Sequence, residues 1–272
     1  MTYWHRGPMA AFDLETTGVD VEADRIVSAA VMNLDGAAEP EGHEWLVDPG
    51  VEIPVEASAV HGITTERARA EGGPRHLATE QIVGCLAELV RAGAVVVGHN
   101  VPFDLTLLDR ECRRYALVPL LDRLGDAPLH VIDTRVLDTH ALPYRKRPSE
   151  TQGARQLITL AQVYGLPWDE DEAHGSTYDA LMSARIAYRI GQLAHMPRRY
   201  WPNHIKTFRR PRFHELRDLD RAELHALQIR LAAEQAAGLE RHFRKTDPTA
   251  AVDRSWPFRP WAADTESKGV PA

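Results

Sequence analysis

The chain has 272 residues, 44% of them hydrophobic, which suits one large α/β domain with an appendage and excludes global disorder. No apolar run approaches the roughly 18 residues of a membrane-spanning helix, and the first residues lack the apolar stretch of a secretory signal. The net charge of −7 does not by itself indicate nucleic-acid binding. Cys85 and Cys112 lack metal-ligand spacing, so we interpret them as buried free thiols of a protein in the reducing cytoplasm.

Hydrophobic patterning predicts a mixed sheet flanked by helices. Short apolar runs bounded by Gly, Asp and charged residues predict strands over 9–14, 26–34, 43–47, 94–97 and 130–133. Helical spacing and a first-turn proline predict helices over 76–92, 102–117, 134–141, 153–164 and 177–194. Three strands come first and strands then alternate with helices, an order typical of a mixed sheet in an α/β protein.

The composition changes near residue 197, so we place a domain boundary near 196. Residues 198–217 hold seven basic side chains and one acid, which favours either a phosphate-binding surface or a solvated linker. Asp220 and Glu223 form a start signal for a helix of about 23 residues. Its expected apolar face consists of Leu224, Leu227, Leu231, Leu239 and Phe243. The remaining residues are rich in Pro and Trp and are predicted to be irregular.

Two acids, Asp13 and Glu15, lie near the end of the first predicted strand, just before a Thr-Thr-Gly turn. Residues two apart in a strand point to the same side, and adjacent carboxylates repel one another unless a cation neutralises them. A divalent metal site is the favoured interpretation. The alternative is a pair of solvated acids at a strand edge.

Two further acids have structural interpretations beside the functional one. Asp104 falls in the first turn of a predicted helix, where the helix dipole alone favours a carboxylate. Asp133 ends a predicted strand, and we interpret it as the cap of the next helix.

His174 and Asp179 lie five residues apart. We expect Ser176 or Thr177 to cap a helix that contains Asp179, with His174 in the preceding loop. Beside several carboxylates, this histidine is a candidate for proton transfer. Four carboxylates with one histidine suit Mg²⁺ or Mn²⁺ and two-metal phosphoryl transfer better than they suit zinc.

The order of the segments FDLETTG, HNVPFD and His-x4-Asp resembles the DEDDh 3′-to-5′ exonucleases. This family includes the proofreading epsilon subunit of bacterial DNA polymerase III, ribonuclease T and oligoribonuclease. The resemblance covers residues 8–195 and implies a ribonuclease H-like fold, a five-stranded mixed sheet with helices around it. Residues 197–272 would add a basic linker, a long helix and an irregular tail. The first two motifs are most similar to those of the epsilon-type enzymes, which favours DNA.

The resemblance implies roles for nine residues. Two Mg²⁺ or Mn²⁺ ions would be bound by Asp13, Glu15, Asp104 and Asp179. His174 would be the general base that activates the attacking water. The residues expected to meet the terminal nucleotide are Thr16, Thr17, Phe103 and, from a loop, His61.

The leading interpretation is therefore a metal-dependent 3′-to-5′ exonuclease that acts on the 3′ end of DNA. One alternative is an RNA-trimming 3′-to-5′ exoribonuclease, since a cleft that holds a 3′ end need not reject a 2′-hydroxyl. Another is an inactive nucleic-acid-binding module, which the filled catalytic positions argue against. No membrane partner is expected. The 220–243 helix is a candidate surface for packing on the domain, for self-association, or for a replication or repair partner.

Overall fold

A mixed sheet forms the centre of the structure, a computed structural model that describes residues 3–36 and 39–261. Its strands are β1 (Met9–Thr16), β2 (Ile26–Leu34), β3 (Glu41–Asp48), β4 (Gly73–Pro74), β5 (Val95–Gly98) and β6 (Val131–Asp133). The strand order is β4-β3-β2-β1-β5-β6. The strand β2 runs antiparallel to β1 and β3, and the other neighbours are parallel. The predicted α/β class with a mixed sheet is confirmed.

The sheet has one strand more than the five predicted. The extra strand β4 is two residues long and pairs with Val47 and Asp48 at the sheet edge. A segment this short shows no alternation of apolar and polar residues, so the sequence pattern did not predict it. A proline is tolerated there because an edge strand needs hydrogen bonds on one side only.

Ten helices surround the sheet in the described part of the chain. They are α1 (Val55–His61), α2 (Thr65–Glu71), α3 (Arg75–Arg91), α4 (Pro102–Arg114), α5 (Leu120–Leu124), α6 (Thr134–Ala141), α7 (Leu157–Tyr164), α8 (Ser176–His195), α9 (Asn203–Thr207) and α10 (Arg221–Phe243). The short helices α1, α2, α5 and α9 were not predicted, since at most two turns show little periodicity. Helix α7 begins at Leu157 and not at 153, because Gln156 is extended. None of the helices in the described ranges is long and apolar enough to cross a membrane.

The central strand β1 divides the core into two layers, because its side chains alternate between the faces of the sheet. Met9 and Ala11 face the layer that contains α7 and α8. Phe12 and Leu14 face the layer that contains α3 and α4. Both cysteines are unpaired as predicted; Cys112 is buried, whereas Cys85 is only partly buried.

The chain beyond residue 197 packs on the same core. Trp201, Ile205, Phe213 and Leu216 are buried in the layer of α7 and α8. The Trp201 indole donates hydrogen bonds to two carbonyl oxygens at the end of α8 and just after it, at 3.0 and 2.9 Å. These contacts argue against a solvated linker over 198–217. The domain boundary near 196 stays a prediction.

Helix α10 begins at the capping box predicted for Asp220 and Glu223, in which each side chain accepts a hydrogen bond from the other residue's backbone N–H. Leu224 and Leu231 of its apolar face are buried. Towards its C-terminus, Leu239 and Phe243 are 40% and 44% exposed. The helix therefore packs on the domain through its first half.

The same helix closes the free edge of β6. The buried Gln228 side chain donates to the Val131 carbonyl at 2.7 Å and accepts from the Asp133 amide at 2.8 Å. The Val131 amide donates to Nδ1 of His225 at 3.1 Å. Two polar side chains of a helix thus take the place of a neighbouring strand and fix Asp133.

We expect Gln228→Leu to lower the free energy of unfolding by about 2–4 kcal/mol, because it leaves two buried backbone groups without partners. Urea unfolding followed by circular dichroism measures this loss. The control is Gln235→Leu, which loses one bond to the Val136 carbonyl from a partly buried side chain. It should cost less than about 1.5 kcal/mol. Equal losses in the two variants would contradict the edge-closing role.

Candidate active site

Three carboxylates meet where β1 ends. Asp13 and Glu15 project from β1, and Asp179 projects from the first turn of α8. One oxygen from each lies within 4.8 Å of the others. The Oδ1 atom of Asp179 is buried and has no hydrogen-bond partner among the described residues. Oxygen donors this close, one of them unsatisfied, fit a divalent cation such as Mg²⁺ or Mn²⁺.

Asp104 joins this cluster from the other side of β1. It lies in the first turn of α4 and is 5% exposed. Its Oδ1 accepts a hydrogen bond from the amide of Leu14 at 3.1 Å. Because Leu14 lies between Asp13 and Glu15 in the sequence, this bond fixes the Asp104 carboxylate to the part of β1 that carries these two acids. Asp104 is not one of the three residues with mutually close oxygens, but it is the largest single source of repulsion on Asp13.

The cluster is electrostatically unfavourable without a cation. Burial raises the pKa of Asp13 well above its usual range, and the neighbouring charges of Asp104, Glu15 and Asp179 raise it further. Burial, with the charges of Asp179 and Asp104, raises the pKa of Glu15 to about 8. Burial raises the pKa of Asp179 to about 6, although the nearby His174 opposes that shift. Bound cations would stabilise the ionised forms.

His174 lies in the turn before α8, as predicted, and is exposed to solvent. Its φ of 63° places it in the left-handed region, which is uncommon for a residue other than glycine. Its backbone and its ring both lower the pKa of Asp179, so it faces that carboxylate at the mouth of the cleft. An exposed imidazole beside the metal-binding acids is placed to exchange protons with solvent.

The predicted cap of α8 is wrong. The residue at the cap position is Gly175, and neither Ser176 nor Thr177 caps the helix. Both hydroxyls bind neighbouring strands: Ser176 Oγ lies 3.3 Å from Ser28 Oγ, and Thr177 Oγ1 donates to Glu44 at 2.8 Å. These contacts hold the start of α8 against the sheet, which keeps Asp179 beside β1.

The two threonines after Glu15 shape the turn that ends β1. The Thr16 hydroxyl donates to the Gly18 carbonyl at 2.6 Å. The Thr17 hydroxyl is buried, donates to Asp24 at 2.8 Å and accepts from the Arg25 amide at 3.0 Å. The structure therefore gives the Thr17 hydroxyl partners within the protein, and a nucleotide contact by either threonine stays a prediction.

The structure corrects the expected environment of His61, which is the last residue of helix α1 and not a loop residue. Its Nδ1 accepts from the Ile63 amide at 3.1 Å, whereas Nε2 is buried without a partner in the described part of the chain. Burial lowers the pKa of His61, the nearby Thr16 backbone raises it in part, and the charge of His174 lowers it further. His61 therefore lies beside the turn that follows Glu15.

Phe103 precedes Asp104 in the first turn of α4 and is partly buried against the core layer of α3 and α4. It is held close to the cluster by its position next to that carboxylate. Stacking on a terminal base, as the resemblance implies, stays a prediction.

Asn100 and Arg135 were not assigned roles from the sequence, yet they form one wall of the cleft. Asp133 caps α6 as predicted, accepting from the Arg135 amide at 2.9 Å, and it also accepts from the Asn100 amide at 3.0 Å. Asn100 has a φ of 62°, and its side-chain oxygen accepts from Arg135 at 2.7 Å. An Asn directly after Gly-His at a strand end was the available signal, since Asn tolerates left-handed backbone.

A mixed sheet with clustered acids at the end of its central strand is an arrangement suited to metal-dependent phosphoryl transfer. Residues 10–187 match the model of the RNase T family, which is described as Exonuclease. A DNA polymerase III subunit epsilon-like protein from Rhodobacter capsulatus is 39% identical over 66% of this chain and 23% of its own length. Ribonuclease T from Hahella chejuensis is 28% identical over 64% of this chain and 80% of its own length.

Among solved structures, E. coli exonuclease I in complex with a dT13 oligonucleotide shares the fold, with a TM-score of 0.55 and 20% identity. The match covers 68% of this chain and 41% of that one. Because the family model matches more than half of the chain, the chain belongs to this exonuclease family. The predicted family and its ribonuclease H-like fold are confirmed. This chain spans less than a quarter of the R. capsulatus relative and less than half of exonuclease I.

We expect the acid cluster to destabilise the metal-free protein increasingly as the pH rises from about 5 to 8. The folded state favours the protonated forms of Glu15 and Asp179, whose pKa values are raised to about 8 and about 6. At these two groups it therefore binds more protons than the unfolded state, and their contribution to stability falls across this window. Histidines whose pKa is lowered by burial, such as His5, act in the opposite direction below about pH 6.5, so the effect of the acids is read from the comparison with a variant. Melting temperatures in EDTA at several pH values measure the effect.

Glu15→Gln should raise the melting temperature in EDTA near pH 8 and change it little near pH 5. Each kcal/mol corresponds to about 2–4 °C for a domain of this size. Mg²⁺ or Mn²⁺ should stabilise the wild type most at the higher pH. The exposed Glu88→Gln is the charge-matched control and should not alter the pH dependence. A Glu15→Gln variant whose melting temperature changes between pH 5 and pH 8 by the same amount as that of the wild type would contradict the raised pKa of Glu15.

Proposed function

We propose that this protein is a 3′-to-5′ exonuclease that hydrolyses the terminal phosphodiester bond of DNA, with two divalent ions and His174 as general base. The observation that carries the proposal is the cluster of three carboxylate oxygens within 4.8 Å of one another, one of them buried without a partner. The cluster opens into a cleft of about 770 Å³ whose wall includes His174 and Asp179. A cleft of this size admits a terminal nucleotide.

The chain's own residues divide the chemistry between them. Asp13, Glu15, Asp104 and Asp179 would hold the ions, which when bound supply Lewis-acid stabilisation of the phosphate charge and make water a better nucleophile. His174 takes the proton from the attacking water and returns it to solvent, for which its exposed position suits it. The Leu14–Asp104 hydrogen bond keeps α4 in register with β1, which holds the acids in place before substrate arrives.

DNA is the favoured substrate. The relative at 39% identity is named as similar to the epsilon subunit of DNA polymerase III, and the structural neighbour holds a dT13 oligonucleotide. The likeness to ribonuclease T at 28% identity supports RNA as the second candidate. The two candidates differ in whether the cleft accommodates a 2′-hydroxyl at the terminal nucleotide.

We expect Asp179→Asn to reduce cleavage of a labelled oligonucleotide by at least about 100-fold, because it removes a metal-binding oxygen. His174→Ala should reduce it by about 10²-fold or more through loss of the base. Excess EDTA should abolish wild-type activity. Asp171→Asn, an exposed acid in the turn that contains His174, is the control and should retain activity. Activity that persists in EDTA would refute metal dependence.

Matched single strands of DNA and RNA, labelled at the 5′ end, test the direction and the substrate. A 3′-to-5′ exonuclease shortens the labelled strand stepwise, and blocking the 3′-hydroxyl with a phosphate or a non-nucleotide cap should slow the first step. We expect the DNA strand to be shortened faster than the RNA strand. Faster degradation of RNA would favour the second candidate, and release of labelled mononucleotide as the first product would indicate the opposite direction.

A further inference from the structure

Two cavities on the surface join into one groove. The first, of about 770 Å³, contains His174 and Asp179. The second, of about 380 Å³, lies between helix α10 and residues 252–259 near the C-terminus. Asn100, Arg135 and Arg155 line both, so the cavity beside the catalytic acids adjoins the cavity beside the C-terminal segment.

Exposed guanidinium groups follow the groove. Arg135 stands where the two cavities meet, and the side chains of Arg254 and Arg259 are 56% and 45% exposed at the outer end. Arg254 lies 3.3 Å from Glu240, whereas Arg259 is 4.0 Å from Asp253, the exposed acid of this wall. Glu240 does not line the cavity, so the charged side chains that line its outer end are Arg254, Arg259 and Asp253, with an excess of one positive charge.

Arg155 plays a different part, because its guanidinium turns inward to Asp138 and to the Leu142 carbonyl. The basic residues of 198–217 do not line either cavity in the part of the chain that the structure describes. The charge along the groove thus comes from elsewhere than the basic stretch that the sequence singled out.

The segment that carries Arg254 and Arg259 is fixed to helix α4, the helix that holds Asp104. The Arg259 amide donates to Thr106 Oγ1 at 3.0 Å, and the buried Arg110 donates to the Pro260 carbonyl at 2.8 Å. The guanidinium of Arg110 also lies 4.9 Å from the centre of the Trp261 ring. These contacts on the second and third turns of α4 make the segment a fixed wall at a set distance from the catalytic centre.

We propose that residues 252–259 form the outer wall of a track for the single strand, on which Arg254 and Arg259 bind backbone phosphates upstream of the scissile bond. A basic groove that continues from the catalytic centre is the arrangement that holds a single strand without reading its sequence. This inference rests on the proposed function. It assigns substrate binding to a segment that lies outside the match to the exonuclease family, which ends at residue 187.

The test compares two substrates that share the reaction but differ in length. One is a single-stranded DNA of about 12 nucleotides, within the usual footprint of such grooves. The other is the p-nitrophenyl ester of thymidine 5′-monophosphate, which has no upstream phosphates. Arg254→Gln with Arg259→Gln should lower the ratio of kcat/KM for the oligonucleotide over the ester by about tenfold. The log–log salt slope for the oligonucleotide should fall by up to about 1.4, at about 0.7 for each contact.

The matched control is Arg230→Gln with Arg241→Gln. Both residues are exposed on α10, and neither lines the groove. This control removes the same charge and should leave the ratio unchanged. An equal fall in both double variants would mean that only overall charge matters and would overturn the inference.

If the double variant Arg254→Gln with Arg259→Gln does not fold, Leu239→Lys provides a second test. Leu239 is exposed and lines the same wall, so the added cation should raise the ratio and steepen the salt slope. A ratio that neither variant moves, in an enzyme that cleaves both substrates, would overturn the track while the proposed function stands. Failure of the wild type to cleave either substrate would remove both.

Discussion

Repulsion between partly buried carboxylates is the constraint on which the rest of this structure depends. Asp13, Glu15 and Asp179 are brought together where burial raises the pKa of each, and neighbouring carboxylates raise those of Asp13 and Glu15 further. A fold that only needed stability would separate them, since a shift of one pKa unit corresponds to about 1.4 kcal/mol. The packing of α4 and α8 against β1 must therefore outweigh the free-energy cost of placing these carboxylates together until cations bind. Functional sites of other proteins likewise reduce the stability of the fold.

The scaffold meets this demand with contacts between distant parts of the chain. Small, fully buried residues on α8, including Ala180 and Ala187, let that helix lie close to the sheet, so that Asp179 reaches the end of β1. On the other side, Gln228 of α10 holds the backbone of Asp133, which in turn holds Asn100. The chain beyond the family match thus supports the cleft wall from behind, and the same region supplies the arginines at its outer end.

Much of this arrangement was predictable because its signals are local. Strand periodicity places Asp13 and Glu15 on the same face of the sheet, and the position of Asp133 at the end of a strand predicts that it caps the next helix. What sequence patterns could not give were pairings set by tertiary contact. Ser176 and Thr177 are residue types that commonly cap helices, yet their hydroxyls form hydrogen bonds with Ser28 of β2 and Glu44 of β3 instead. The two-turn helix that ends at His61 and the edge-closing role of α10 likewise depend on neighbours far away in sequence.

Proton release on Mn²⁺ binding tests the central claim most directly. Calorimetric titration near pH 7 in two buffers of different ionisation enthalpy gives the number of protons released per protein. With the pKa of Glu15 at about 8 and that of Asp13 higher than usual, the carboxylates should release about one proton or more as the metal binds. Glu15→Gln should release fewer. Tight Mn²⁺ binding with no proton release in the wild type would contradict the account, because the acids would then already be ionised and their pKa values would not be raised.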